Sequence, residues 1–227
     1  MYPPTRFSPR AALRLLLLVP AALALTSTSP ASAMTSLMGG TTLGLDQNYA
    51  ARADVGWPDL RLTWVVPFTE RVDVSPQFTL RYGQNLRTGV VGYEPGIEIR
   101  WSFFQRHATS LAFYANPAAL IWVPTDGTKG QVGFRVGGPG IVGGWQMASR
   151  VSMNYGIRVP MRVMFSPEVT FTAPVLADLG FEVEAWRSEE ARVAVTGQIS
   201  AGPEFCAGPC NDVELAVELG LGAHVIW

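Results

Sequence analysis

The sequence predicts an all-β fold: a closed, antiparallel, up-and-down transmembrane β-barrel of about ten strands, with eight or twelve as the alternatives. Three observations predict it. Most segments after the first 33 residues alternate apolar and polar side chains with a period of two. Although 48% of the chain is hydrophobic, those residues hold no apolar run near the ~20 needed for a membrane-spanning helix. The last fifteen residues, "VELAVELGLGAHVIW", put Val213, Leu215, Val217, Leu219, Leu221, Ala223, Val225 and Trp227 on one face. Glu214, Glu218 and His224 fall on the other. A barrel in a bilayer needs that division, because lipid-facing and lumen-facing positions alternate along every strand.

Residues 1–33 are set apart from this pattern. "MYPPTRFSPRAALR" carries Arg6, Arg10 and Arg14 and no acid, "LLLLVPAALAL" is a short apolar core, and Ala31-Ser32-Ala33 is a small-x-small site. That order is a secretory signal peptide, cut after Ala33. Loss of its three arginines turns a net charge of −1 into −4. A mildly acidic chain without a basic run is not expected to bind nucleic acid. Residues 34–227 are one domain's worth of chain.

The strands follow in order. A first, glycine-rich strand is expected around Thr35 to Asp46, followed by a loop from Gln47 to Trp57. The second puts Leu60, Leu62, Trp64 and Val66 outward, with Arg61 and Thr63 inward. The third opposes Val72, Val74, Phe78 and Leu80 to Asp73, Gln77 and Arg81. The fourth opposes Tyr93, Ile97, Ile99, Trp101 and Phe103 to Glu94, Glu98 and Arg100. The fifth, "TSLAFYANPAALIWV", alternates weakly. The sixth, "GQVGFRVGGPGIVGGWQM", is glycine-rich and slips register. The seventh sets Met153, Tyr155, Ile157 and Val163 against Asn154, Arg158 and Arg162. The eighth sets Phe171, Leu179, Phe181 and Val183 against Asp178, Glu182 and Glu184, and the ninth sets Val193, Val195 and Ile199 against Arg192 and Gln198.

Breaks after even-numbered strands are short ("TER", "QRHA", "ASR", "SEE"), and those after odd-numbered strands are mostly longer. Barrels of this type have that asymmetry. Aromatics gather at both ends: Tyr82, Tyr93, Trp122, Phe134, Phe165, Phe171 and Phe205 at one rim, and Phe68, Phe103, Phe113, Trp145, Phe181 and Trp227 at the other. Two girdles flanking an aliphatic band suit a lipid-facing wall. The pattern has one discord. Pro76, Pro95, Pro117, Pro139, Pro160, Pro174 and Pro203 fall inside strands, where proline cannot donate to the ladder.

With these features the chain resembles the bacterial outer-membrane β-barrel proteins of the small, OmpA-like kind, over nearly all of residues 34–227. The resemblance implies an outer-membrane location after export. It also implies recognition of the last strand by the barrel-assembly machinery, through Leu219, Leu221, Ala223, Val225 and Trp227. Members often carry Tyr where this chain has Val225. The roles the family implies are membrane anchor, narrow channel, adhesin, or lipid-modifying or proteolytic enzyme. Lipid is the expected partner, and oligomeric state is left open.

Candidate functional residues are few. Seven arginines (Arg61, Arg81, Arg100, Arg135, Arg158, Arg162, Arg192) are expected to face inward. So are nine carboxylates: Asp73, Glu94, Glu98, Asp178, Glu182, Glu184, Glu204, Glu214 and Glu218. Buried charges require partners, so these are expected to interlock and fill a narrow lumen. The alternative is a charged constriction in a narrow, porin-like channel. Cys206 and Cys210 flank a Gly-Pro turn and are expected to form a disulfide in an oxidising compartment. No metal site is expected, since two cysteines with no nearby histidine are too few ligands. No cofactor is expected either: "GGPGIVGG" lacks the phosphate-cradling order. A hydrolase would rest on His107 and Ser110 in "HATS", two residues at a periplasmic turn without the geometry of a nucleophile and its base. No catalytic residue is assigned, and the leading expectation is a non-enzymatic barrel with a structural or surface-presenting role.

Overall fold

A strand that is apolar on one side and charged on the other can bury only one of its faces, and this chain buries the charged one. The structure, a computed structural model, describes residues 36–45, 49–83, 90–125, 127, 129–166, 168–208 and 213–227. The signal segment 1–33 and Cys210 lie outside the described residues. Among the described residues there are fourteen strands in one antiparallel sheet and no helix. They are β1 (Ala50–Trp57), β2 (Asp59–Thr69), β3 (Val72–Arg81), β4 (Val90–Arg106), β5 (Thr109–Ala115), β6 (Pro117–Pro124) and β7 (Gln131–Val136). The rest are β8 (Gly140–Ala148), β9 (Val151–Arg158), β10 (Arg162–Met164), β11 (Thr170–Pro174), β12 (Leu176–Arg187), β13 (Arg192–Ala207) and β14 (Val213–Ile226).

These make ten staves, because β5–β6, β7–β8, β9–β10 and β11–β12 are each one stave with a short interruption. The sheet closes on itself. β14 pairs with β13 on one side and with β1 on the other, from Ala50↔Ile226 to Trp57↔Leu219. The barrel is therefore the ten-strand, up-and-down, antiparallel one expected. Leu221 is 67% exposed on its outer wall, while His224 and Ile226 on the opposite face are buried.

The first strand is corrected. Residues 36–45 form turns rather than a strand, and the segment expected to be a loop, 50–57, is β1. Pro58 alone separates β1 from β2. At the end of the barrel that holds Trp227, the turns are Glu70–Arg71, His107–Ala108, Ser149–Arg150 and Ser188–Ala191. Apart from the Pro58 turn, the connections at the opposite end are longer.

The prolines are accommodated by gaps in the ladder. Asn116-Pro117, Gly137-Gly138-Pro139, Val159-Pro160-Met161 and Pro174-Val175 mark the four interruptions. Pairing is also skipped beside Pro76 on the β2 side and beside Pro95 on the β6 side. Proline lacks the N–H a continuous ladder would need, so each sits where no donor is asked for. The sixth stave slips as expected. It carries an extra residue at Gly137, whose φ is +55°, so exposed positions change from Val132, Phe134 and Val136 to Pro139 and Ile141.

Aromatic side chains pack at both ends of the wall. At the chain-terminal end Trp64 meets Trp227 edge-on with centroids 5.2 Å apart, and Phe103 lies 4.6 Å from Phe113. At the opposite end Phe78 lies 5.9 Å from Tyr93.

Candidate functional site

Among the described residues, the buried polar chemistry gathers in the lumen. Twelve arginines and carboxylates are buried among the described residues, and β-pairing brings them together from distant parts of the chain. Three groups stack along the barrel axis.

Toward the end opposite Trp227, Glu94 of β4 is the hub, at 0% exposure. The Arg81 Nε–H donates to Glu94 Oε1, Arg135 Nη1 donates to Oε2 at 2.9 Å, and Trp122 Nε1 donates to Oε1 at 3.0 Å. Trp122 is corrected here: it faces inward at 1% exposure and does not belong to the girdle. Its ring lies beneath Arg81 and Arg162, with guanidinium carbons 5.2 and 5.9 Å from the centroid. Val90, Leu120 and Met164 pack around it as a small apolar core inside the barrel. Arg162 reaches Glu204 at 3.4 Å, and Arg135 also holds Asn116 through its backbone and side-chain oxygens.

At mid-height Arg158 makes a two-pronged pair with Asp178 at 2.7 and 3.0 Å and reaches Glu218 at 2.9 Å. Glu98 takes Arg100 at 2.7 Å and Arg52 at 3.5 Å, and Arg52 also holds Asp54 at 2.7 Å. Arg61 reaches Asp59 at 3.5 Å.

The third group ties down the N-terminal segment, which lies inside the ring at the chain-terminal end. Ser36 Oγ stands 3.0 Å from Glu182 Oε2 and 2.9 Å from the Asn154 side-chain amide. The Leu43 N–H donates to Asp73 at 3.0 Å, and Arg52 donates to the Leu37 carbonyl at 3.3 Å. Leu37 and Leu43 are buried against Ala50, Val65 and Ile226. Two glycines permit this close fit. A Cβ on Gly40 would stand 2.5 Å from the Leu111 backbone, and one on Gly39 would stand 2.9 Å from the Cα of Gly144. The segment is a plug.

The remaining predicted positions are dispersed. Glu184 is buried and pairs with Arg187 at the chain-terminal end, where Arg192 is half-buried at the start of β13. Glu214 is exposed near the opposite end of β14. Cys206 lies on β13 opposite Thr172 and is not a free thiol. Ser110 and His107 both border a void of about 20 Å³ beside the plug. Ser110 is buried, His107 sits in a turn, and no hydrogen bond joins them. Among the described residues no cluster of three or more His, Cys, Asp or Glu could hold a metal ion.

Reading the residues in sequence missed Arg52, Asp54, Asp59, Asn116 and the plug. "ARADVGW" does alternate, but its outward Ala51 and Ala53 are too small to stand out.

No protein-family model matches the chain, and no curated protein does. Among solved structures it is similar to OmpT (in-vitro folded), an outer membrane protein of Vibrio cholerae. The identity is 13% and the TM-score 0.35, with 74% of this chain covered. The chain spans 55% of the length of that protein.

Proposed function

We propose that this chain is an integral protein of the bacterial outer membrane, a small OmpA-like barrel with a structural or surface-presenting role and no catalytic one. The observation that carries this reading is its inverted polarity. Large apolar side chains on every stave, Leu62, Ile99, Ile141, Leu179, Ile199 and Leu219 among them, are exposed, while arginines and carboxylates are buried. In water that arrangement has no driving force, because apolar area is stabilised only by removal from water. Facing hydrocarbon it is the stable one. In this reading a signal peptide is removed after Ala33 and the turns at the Trp227 end lie in the periplasm. The longer loops face outward, one of them stapled by Cys206 and Cys210.

The test is a single exchange on the wall. Leu221→Arg is expected to weaken folding into lipid vesicles by about 2–4 kcal/mol, the cost of a cation near the bilayer midplane. On a water-facing wall the same change would stay within about 0.5 kcal/mol. A loss below 1 kcal/mol, or recovery of the native protein in the soluble periplasm with no heat-modifiable gel migration, would overturn the proposal.

A second reading, a narrow channel, is favoured by one observation: small voids follow one another around Arg61 and Arg158 from the Pro58 turn to Met38 of the plug. Planar-bilayer recording of the intact protein separates the two. Silence is expected for the plugged barrel, and steady conductance would favour the channel.

A further inference from the structure

We infer that the middle of the lumen is a binding site for one small monovalent anion of halide size, held between Arg61 and Arg100. A cavity of about 40 Å³ lies there, bordered by Arg52, Arg61, Arg100 and Arg158 and by only two carboxylates, Glu98 and Asp178. Both of those acids are already engaged. Glu98 takes Arg100 and Arg52 on its two oxygens, and Asp178 takes Arg158 on both of its own. The other acids that pair with these arginines, Asp54, Asp59 and Glu218, do not border this cavity.

The hydrogen-bond inventory points the same way. The Nε–H groups of Arg61 and Arg100 are buried and find no acceptor, and Arg100 as a whole is 4% exposed. A guanidinium can only donate, so nothing in its own chemistry relieves that deficit. An unpaired donor in a dry interior is costly, more so when charged. The cavity holds a few water-sized bodies at about 10–15 Å³ each, room for a halide with a water beside it but not for a lipid headgroup. Water could accept from these donors and pass its hydrogens to spare lone pairs on Glu98, Asp178 or Gln198, but it brings no charge to offset the guanidinium groups that outnumber the carboxylates on the cavity wall. An anion brings acceptor capacity alone.

Entry is from the Pro58 end. A neighbouring cavity of about 50 Å³, which shares Met38, Arg61, Arg158 and Gln198 with this one, reaches Trp57, Pro58 and Asp59. The inner side is closed by the plug, whose Met38 borders both cavities. The site needs the closed barrel but neither a membrane nor conduction, so its fate is separate from that of the proposed location.

The experiment uses the folded protein in detergent. Crystals grown in sodium bromide are expected to show an anomalous peak within this cavity, and none there for Arg61→Gln, whose side chain is near the open end and the safer one to exchange. In urea unfolding at constant ionic strength, replacing gluconate by bromide is expected to stabilise the wild-type protein. Each tenfold rise in bromide above its dissociation constant should lower the unfolding equilibrium constant about tenfold. Arg100→Gln and Arg61→Gln should lose that dependence. A cavity that holds water only in bromide crystals, or a bromide dependence equal in wild type and both variants, would overturn the site.

Discussion

Replacing Glu94 by alanine is expected to be the most destabilising single change in the barrel, lowering its unfolding free energy by about 3–5 kcal/mol in vesicles. The reason is the number of groups one carboxylate serves. Arg81, Arg135 and the Trp122 indole all donate to it, and each is buried. Without it Arg81 keeps only Asp59 at 3.4 Å and the Gly83 carbonyl at 3.2 Å, Arg135 keeps only Asn116, and the Trp122 indole loses its acceptor beside Val90, Leu120 and Met164. Glu189→Ala, on an exposed turn, provides the control and should stay within about 0.5 kcal/mol. Urea titration followed by tryptophan fluorescence measures both. A loss for Glu94→Ala no larger than that control would mean that the cluster is compensated by water, and the lumen would then not be a packed interior.

The second large effect concerns ion flow. Deletion of residues 36–45 is expected to change a silent barrel into a conducting one, because those residues fill the chain-terminal end of the lumen. Gly40→Val should act in the same direction without shortening the chain. A Cβ at Gly40 would stand 2.5 Å from the Leu111 backbone, which belongs to the barrel wall and cannot yield. Single-channel recording in planar bilayers is the measurement, with heat-modifiable migration as the check that each variant has closed its barrel. If both variants fold and neither passes current, the charged mid-section is itself the seal.

How much of this was legible beforehand depended on contrast between neighbouring residues. Where large apolar and charged residues alternate, as in Tyr93 to Phe103 or Met153 to Arg162, both the strand and its inward face are correct. β1 escaped notice because Ala51 and Ala53 give little contrast and because one residue, Pro58, makes its turn. Trp122 reads as a girdle residue for a related reason. "LIWV" is apolar on both sides, so period alone cannot say which residues look inward. The inward arginines and acids were visible as a set, but their pairing was not. Arg135 meets Glu94 across 41 residues of sequence, and only the stagger of β4, β6 and β7 puts them within reach. The plug left no periodic trace, being a turn whose role lies in what surrounds it.

The seam between β1 and β14 has a consequence for the timing of folding. Tyr49 and Trp227 exchange backbone hydrogen bonds at 3.0 and 3.1 Å, so the ring is completed only when the last stave, β14, meets the first. Until then β1 is a bare edge, with unsatisfied amides along eight residues and a readiness to pair with any extended chain it meets. An unclosed copy is therefore most vulnerable to sticking to its neighbours while β14 is still unpaired, and an escort that shields β1 would have to hold on until β14 has docked beside it.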